Sequence, residues 1–475
     1  MKRLSAKTPT NVLCLAVDRL NADFLGAYGN TWIESPAFNA LASSSVLFDS
    51  YYATSLDLRA LYRAFWRGES PATFRVDRGA SESDAPVSLF RALKKRGYRT
   101  FVVSDVEEIT LHDAIDDDCC DGRFFLDSPD AREPVESLEQ TRIFRNFEEL
   151  ARFIAKLEDE AELGDDAPWF VWAHFSGWND LWDWPIDFRE AYCEDEEDPA
   201  PYAGITPPYF PNLKKSGEKD DKLDLIDLRQ SVVEAYAGGV SAFDETLEGF
   251  TQLLNEKGVL SKTLFALTGV RGFGTGAPSA LGIAPENETP APFYAEEIRL
   301  PLVVRLPDET GATVRLPGLC EPRDLYETFK SWPTFARELT DPEFWKIERS
   351  EISPFAGKWS LDEDVESTRV DGESQDAPGA PTPDAPGRNL LPLLVDETGS
   401  VRDRIVITAV DADSKERAVV VKEWLLKETP RVERREDEPD KIQELFVLPD
   451  DRYCVNDVAN RRRDVVEELE RLIAD

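Results

Sequence analysis

The chain has 475 residues, 41% of them hydrophobic, and 93 acidic against 55 basic side chains, a net charge of −38. This length suits one large α/β domain, or one large and one small, and the apolar fraction is enough for a substantial core. A surface this acidic repels nucleic acid and anionic membranes, and it repels free anionic substrates unless a local basic pocket reverses the field.

The basic start MKRLSAKTPT runs straight into NVLCLAV (11–17), a run too short for a secretion signal and better suited to a strand. The strand-like runs TFVV (100–103), WFVWA (169–173), LFALT (264–268) and LVVRL (302–306) follow it. All are continuous, apolar and rich in β-branched or aromatic residues, as strands covered on both faces are. Helical patterns alternate with them. Ser35-Pro36 reads as an N-cap and first helical residue, with Phe38, Leu41 and Ala42 on one face. Residues 87–96, 146–157 and 224–256 are further helices, the first ending at Gly97 and the last at Gly258. The alternation predicts a mostly parallel sheet with helices on both faces.

The texture changes near residue 355. Residues 356–390 are acidic and rich in Pro and Gly, the composition of a linker or surface excursion. Beyond it, 404–410 and 417–428 read as paired strands, and 465–474 as a terminal helix. The expected organisation is an α/β domain over 1–355, the excursion over 356–390 and a small α+β subdomain over 391–475. Cys14, Cys119, Cys120, Cys193, Cys320 and Cys454 are scattered without a CxxC pair, so no disulfide framework is implied. No apolar segment is long enough to span a bilayer. The expectation is a soluble, cytoplasmic protein with neither nucleic-acid nor membrane partners.

In open α/β sheets, ligands bind at the carboxyl ends of the strands. Asp18-Arg19 ends the first strand, His174 follows WFVWA, and Val270-Arg271-Gly272 follows LFALTG. Ser55 and Arg59 open a helix whose core face is Leu58, Leu61, Tyr62 and Phe65.

These residues sit in a longer pattern. LGAYGN (25–30), SPAFNALA (35–42), LFRALKKRGYRTFVVSD (89–105), LFALTGVRG (264–272), FYAEEIRLPLVVRLP (293–307) and ELFVLPDDRYCVNDVAN (444–460) recur in order. Together they resemble the formylglycine-type sulfatases of the alkaline phosphatase superfamily over nearly the whole chain. The resemblance implies that family's α/β fold with a smaller C-terminal subdomain. It also implies a sulfate-ester hydrolase site built on a divalent cation, usually calcium, with a modified cysteine or serine as nucleophile.

Residue by residue, the resemblance predicts a degenerate centre. Asp18 matches the first metal ligand, but Arg19 replaces the second, and Val270 and Arg271 replace the later pair. Ser55 stands at the nucleophile position and Arg59 at the motif arginine, yet Asp57 replaces the proline needed for modification. Asp105 and Glu107 replace a Lys and a His, no lysine lies between Lys262 and Lys330, and the only histidines are His112 and His174. Activity would need ligands from elsewhere, with Asp23, Asp57 and Asp105 as candidates.

Each residue also has a plainer reading. Asp18 is read as an ion-pair or N–H partner in preference to a metal ligand. Ser55 is read as a helix cap in preference to a nucleophile, and His174 as a hydrogen-bonded strand-end residue in preference to a substrate contact. Arg19, Arg59 and Arg271 either form a metal-free anion site or neutralise leftover carboxylates such as Asp18 and Asp57. Trp178, Trp182 and Trp184 either pack or offer an exposed binding surface. The acidic run at 194–201 is read as a solvated loop. The expected function is a pseudo-sulfatase binding an anionic small molecule or a protein partner without a cofactor. The alternative is an active sulfate or phosphate ester hydrolase with a rebuilt site, and calcium is the metal if one survives.

Overall fold

The computed structural model describes residues 10–71, 86–127, 131–163, 167–193, 199–210, 219–276, 280–284, 293–339, 387–394, 401–409, 416–431 and 439–474. The strands are β1 (Asn11–Val17), β2 (Val46–Tyr52), β3 (Arg99–Ser104), β4 (Gly122–Phe125), β5 (Trp169–Phe175), β6 (Tyr209–Phe210), β7 (Thr263–Gly269), β8 (Gly274–Thr275), β9 (Leu281–Gly282), β10 (Arg299–Arg305) and β11 (Arg315–Cys320), then β12 (Arg404–Thr408), β13 (Arg417–Val421), β14 (Trp424–Pro430) and β15 (Lys441–Val447). The helices are α1 (Pro36–Ser43), α2 (Leu58–Arg67), α3 (Leu89–Lys94), α4 (Glu107–Thr110), α5 (Arg142–Glu162), α6 (Ile186–Glu190), α7 (Lys219–Glu256), α8 (Ala295–Ile298), α9 (Pro322–Leu339) and α10 (Arg463–Ala474).

The central sheet has eight strands in the order β11-β2-β10-β7-β1-β5-β3-β4, and β10 alone runs against its neighbours. Every residue of β1, β5 and β7 is buried, which is why their sequences read as unbroken apolar runs. Alternate residues of β1 serve opposite faces. Leu13, Leu15 and Val17 pack with α1, α5 and α7, whereas Val12, Cys14 and Ala16 pack with α2, α3 and α9. The predicted parallel α/β architecture is thus observed.

A four-stranded antiparallel sheet, β12-β13-β14-β15, forms the C-terminal part. One face packs on the main domain through Tyr52, Leu56, Tyr294 and Ile298, and the other is covered by Val466, Leu469 and Ile473 of α10. The segment 417–428, read as one strand, is two, because the chain turns at Lys422-Glu423 and β13 pairs back on β14. Apart from 387–390, the acidic excursion expected over 356–390 lies outside the described residues, as does most of the 194–201 run. None of the six cysteines forms a disulfide. Among the described residues, no helix is long and apolar enough to cross a membrane.

One local expectation needs correction. The Ser35 hydroxyl accepts from Gly26 N at 2.8 Å instead of capping α1. The α1 N-terminus is capped from α7, where the two oxygens of buried Asp244 accept from Ala37 N and Phe38 N at 2.8 and 2.7 Å. Burial raises the Asp244 carboxyl to about 6 despite these bonds. Trp178, Trp182 and Trp184 pack and offer no exposed surface: Trp178 and Trp182 lie against Tyr236 of α7, and Trp184 lies against both and donates to Ala235 O. The helix surface approaches so closely there that a Cβ on Gly239 would lie 2.5 Å from Trp178 Nε1.

Candidate functional site at the carboxyl ends of β1, β5 and β7

Parallel pairing of β1 with β5 and β7 aligns Val17 with Phe175 and Gly269, so their carboxyl ends open on one place. Asp18, His174 and Arg271 therefore converge there although up to 253 residues separate them. Gly177 makes the approach possible. Its φ is +52°, and a Cβ on it would lie 2.3 Å from the Asp18 carbonyl oxygen.

Asp18 is 1% exposed and is gripped by a guanidinium fork. Arg271 Nε donates to Oδ1 at 3.1 Å and Nη2 to Oδ2 at 2.5 Å. Arg271 Nη1 also donates to Leu56 O at 3.2 Å, and Nη2 to Asn179 Oδ1 at 3.1 Å. Burial acts to raise the Asp18 carboxyl, but the charge and hydrogen bonds of Arg271, with help from Arg19, hold it below its ordinary value.

Arg19 stands beside this pair with φ +63°. Its Nε donates to Asn179 Oδ1 at 3.1 Å and its Nη1 to Gly272 O at 3.0 Å. Its carbonyl accepts from Tyr236 OH at 2.6 Å, which locks the turn. Burial, then the like charge of Arg271, lowers Arg19 to about 9. Glu297 lies near it, and burial together with neighbouring Glu296 pushes its carboxyl up to about 8. A neutral Glu297 leaves two guanidinium groups facing one ionised carboxylate.

His174 is fully buried, and its Nδ1 lies 2.6 Å from Tyr62 OH. Tyr62 OH also accepts from Trp172 Nε1 at 3.3 Å, and the other ring nitrogen of His174, Nε2, has no hydrogen-bond partner among the described residues. Burial lowers the His174 value, which keeps the ring neutral.

Ser55 is also fully buried and does not cap α2. The cap is Asp57, whose Oδ1 accepts from Ala60 N at 2.7 Å, while Ser55 Oγ accepts from Asp57 N at 3.1 Å. Arg59 extends to Asp113 at 2.7 Å, and both side chains of that pair are exposed. Asp105 holds the β5 terminus by accepting from Ser176 N at 2.8 Å, Ser176 Oγ at 2.6 Å and Asn146 Nδ2 at 2.9 Å.

The sequence reading brought Asp18, Arg19, Arg271 and His174 to one end of the sheet and gave neither Asn179 nor Tyr62 a role there. Asn179 joins the two arginines through one oxygen. Its only signal in the sequence was its place just after the β5 terminus.

The sequence model of the family described as Sulfatase matches residues 10–332. The chain belongs to the sulfatase family, in the alkaline phosphatase superfamily. No curated protein sequence matches this sulfatase-family chain significantly. Among solved structures it is similar to the phosphonate monoester hydrolase of Agrobacterium radiobacter, with 15% identity, 98% of this chain and 95% of that one covered, and a TM-score of 0.61. The corresponding hydrolase of Silicibacter pomeroyi gives 15% identity, 98% and 94% coverage and a TM-score of 0.61. BT4656, solved with its substrate D-glucosamine-2-N,6-O-disulfate, gives 14% identity, 98% and 97% coverage and a TM-score of 0.62.

Sulfatases usually use calcium, which takes about six to eight oxygen ligands. The residues of this chain do not fit it. Both Asp18 oxygens are held by Arg271, and Val270, at another ligand position, is buried in the core. Asp23 is paired with Arg299 at 2.6 Å, Asp57 caps α2 and Asp105 holds Ser176. Among the described residues, no group of three or more His, Cys, Asp or Glu side chains could hold a metal.

Proposed function

We propose that this chain is a sulfatase-family protein without the family's metal-dependent ester hydrolysis, and that it acts as a binding protein for an anionic ligand or a protein partner. The observation carrying this reading is the bidentate Asp18–Arg271 pair, which puts a guanidinium where a ligand oxygen set would have to face a cation. Two further features support it. Ser55 Oγ is buried without a base in hydrogen-bonding contact, and the one histidine at the site is bonded through Nδ1 to Tyr62 OH instead. The anion reading centres on Arg19, because Arg271 already donates to Asp18, Leu56 and Asn179, whereas Arg19 donates to Asn179 and Gly272 through Nε and Nη1 and keeps Nη2 to offer.

Thermal melts with chelator and then millimolar calcium test the metal arm. The wild-type melt stays unchanged, whereas Arg19→Asp/Val270→Asp/Arg271→Asn, which restores an oxygen set around Asp18, gains a calcium-dependent rise. A ligand at a hundredfold excess over its Kd adds about 2.7 kcal/mol. A calcium-dependent rise in the wild type, abolished by Asp18→Ala, overturns the proposal. So does turnover of chromogenic sulfate or phosphate esters that disappears in Ser55→Ala, which would favour an active hydrolase with a rebuilt site. Sulfate or phosphate tests the anion arm, since either should raise the melt of the wild type and not of Arg19→Gln.

A further inference from the structure

The strand β4, Gly122-Arg123-Phe124-Phe125, ends the eight-stranded sheet, and its one neighbour among the described residues is β3. An edge strand presents a row of unpaired N–H and C=O groups, which proteins commonly guard with proline, a bulge or an inward-pointing charge. β4 has no proline, and its register with β3 is unbroken. Its single charge, Arg123, is turned onto Asp117 at 2.5 Å and onto the carbonyls of Thr110 and Ile115, each at 3.5 Å. Its two aromatic side chains meet solvent, Phe124 at 42% and Phe125 at 52% exposure. Side chains alternate along a strand, so Phe125 shares the Arg123 face. Leu111, 66% exposed, follows Thr110 on that side. Phe124 leans the other way onto Phe153, with ring centroids 4.7 Å apart.

The charge around this edge specifies its occupant. Of the eight carboxylates from Glu107 to Asp127, Asp113, Asp116, Asp117, Asp118 and Asp121 are paired with Arg59, Arg63, Arg67, Arg91, Lys94 and Arg123. Glu107 and Glu108, at the start of α4, and Asp127, just past β4, are exposed without a cation among the described residues and form the acidic rim. A second copy would set one acidic rim against another, whereas a basic segment complements it.

We propose that β4 is a docking edge for an extended, basic segment of a partner protein. The segment adds as a ninth strand, its apolar side chains meeting Phe125 and Leu111 and its lysines or arginines meeting the acidic rim.

Two strand-length peptides of one composition test this on the full chain, one alternating lysine and valine and one with lysines and valines in separate blocks. Affinity is read by fluorescence anisotropy and strand addition by amide exchange at residues 122–126. The alternating peptide should bind about tenfold more tightly and slow exchange at β4, and Phe125→Lys should remove about that factor. Leu253→Lys adds the same charge at another exposed apolar position, on α7, and should leave binding unchanged. Equal binding of both peptides, or equal losses in both variants, would reduce the effect to overall charge and overturn the proposal. A dimer in sedimentation that Phe125→Lys dissolves would also overturn it, by making a second copy the occupant.

Discussion

Two buried clusters of arginine and carboxylate in this molecule look alike and differ in balance. Past β11, Glu321 and Asp324 meet Arg323 and Arg402. Arg402 Nε donates to Asp324 at 2.8 Å, its Nη2 donates to Asp324 and approaches Glu321 at 3.0 Å, and Arg323 donates to Glu321 at 2.6 Å. Among the described residues, two negative charges face two positive ones, and Asp324 also accepts from Arg388 N at 2.7 Å, tying the returning chain to α9. At the ends of β1 and β7, one ionised carboxylate, Asp18, faces Arg271 and Arg19. Buried charge is tolerated when it is matched and hydrogen-bonded. The matched cluster is a strut. The other carries an excess of positive charge, and burial, then the like charge of Arg271, lowers Arg19 to about 9.

The largest expected effect breaks the matched cluster. Asp324→Ala strands Arg402 and frees the Arg388 anchor, and should cost about 3–5 kcal/mol in urea unfolding. The corresponding change at the other cluster, Asp18→Ala, should cost about 3 kcal/mol, because Arg271 keeps Leu56 O and Asn179. Millimolar sulfate should recover part of the loss in Asp18→Ala and none in Asp324→Ala. Equal recovery would erase the distinction between the two clusters.

Acid provides the next test. Burial lowers His112, which accepts from Ala114 N and contacts Arg59 O, to about 4. The unfolded value is about 6.5, so between the two the unfolded chain binds the extra proton. The His112 contribution is therefore complete above about 6.5 and lost as pH falls through about 4, a loss of about 3 kcal/mol. The urea midpoint should fall over that interval, and His112→Gln should flatten the fall. The smallest effect is expected at the surface, where Arg59→Ala should cost about 0.5–1 kcal/mol in urea unfolding, the size of an exposed pair. A loss as large as that of Asp18→Ala would mean that Arg59 belongs to the buried cluster after all.

The sequence by itself determined the sheet and its helices. A strand covered on both faces must be apolar throughout, and β1, β5 and β7 carry that mark without any knowledge of their neighbours. It also brought Asp18, His174 and Arg271 to one end of the sheet, because they follow or end those runs. What each residue does there was decided by tertiary structure. Ser35 and Ser55 have the chemistry of caps, but Asp57 lies two residues nearer to α2, and Asp244 reaches α1 from more than two hundred residues away. Trp178, Trp182 and Trp184 read as loop aromatics until α7 covers them. Whether Arg271 pairs with Asp18 or waits for a ligand depends on a 2.5 Å contact across 253 residues. Local rules see a few neighbours along the chain, whereas charge pairing and burial are set by whatever the fold brings within a few ångströms.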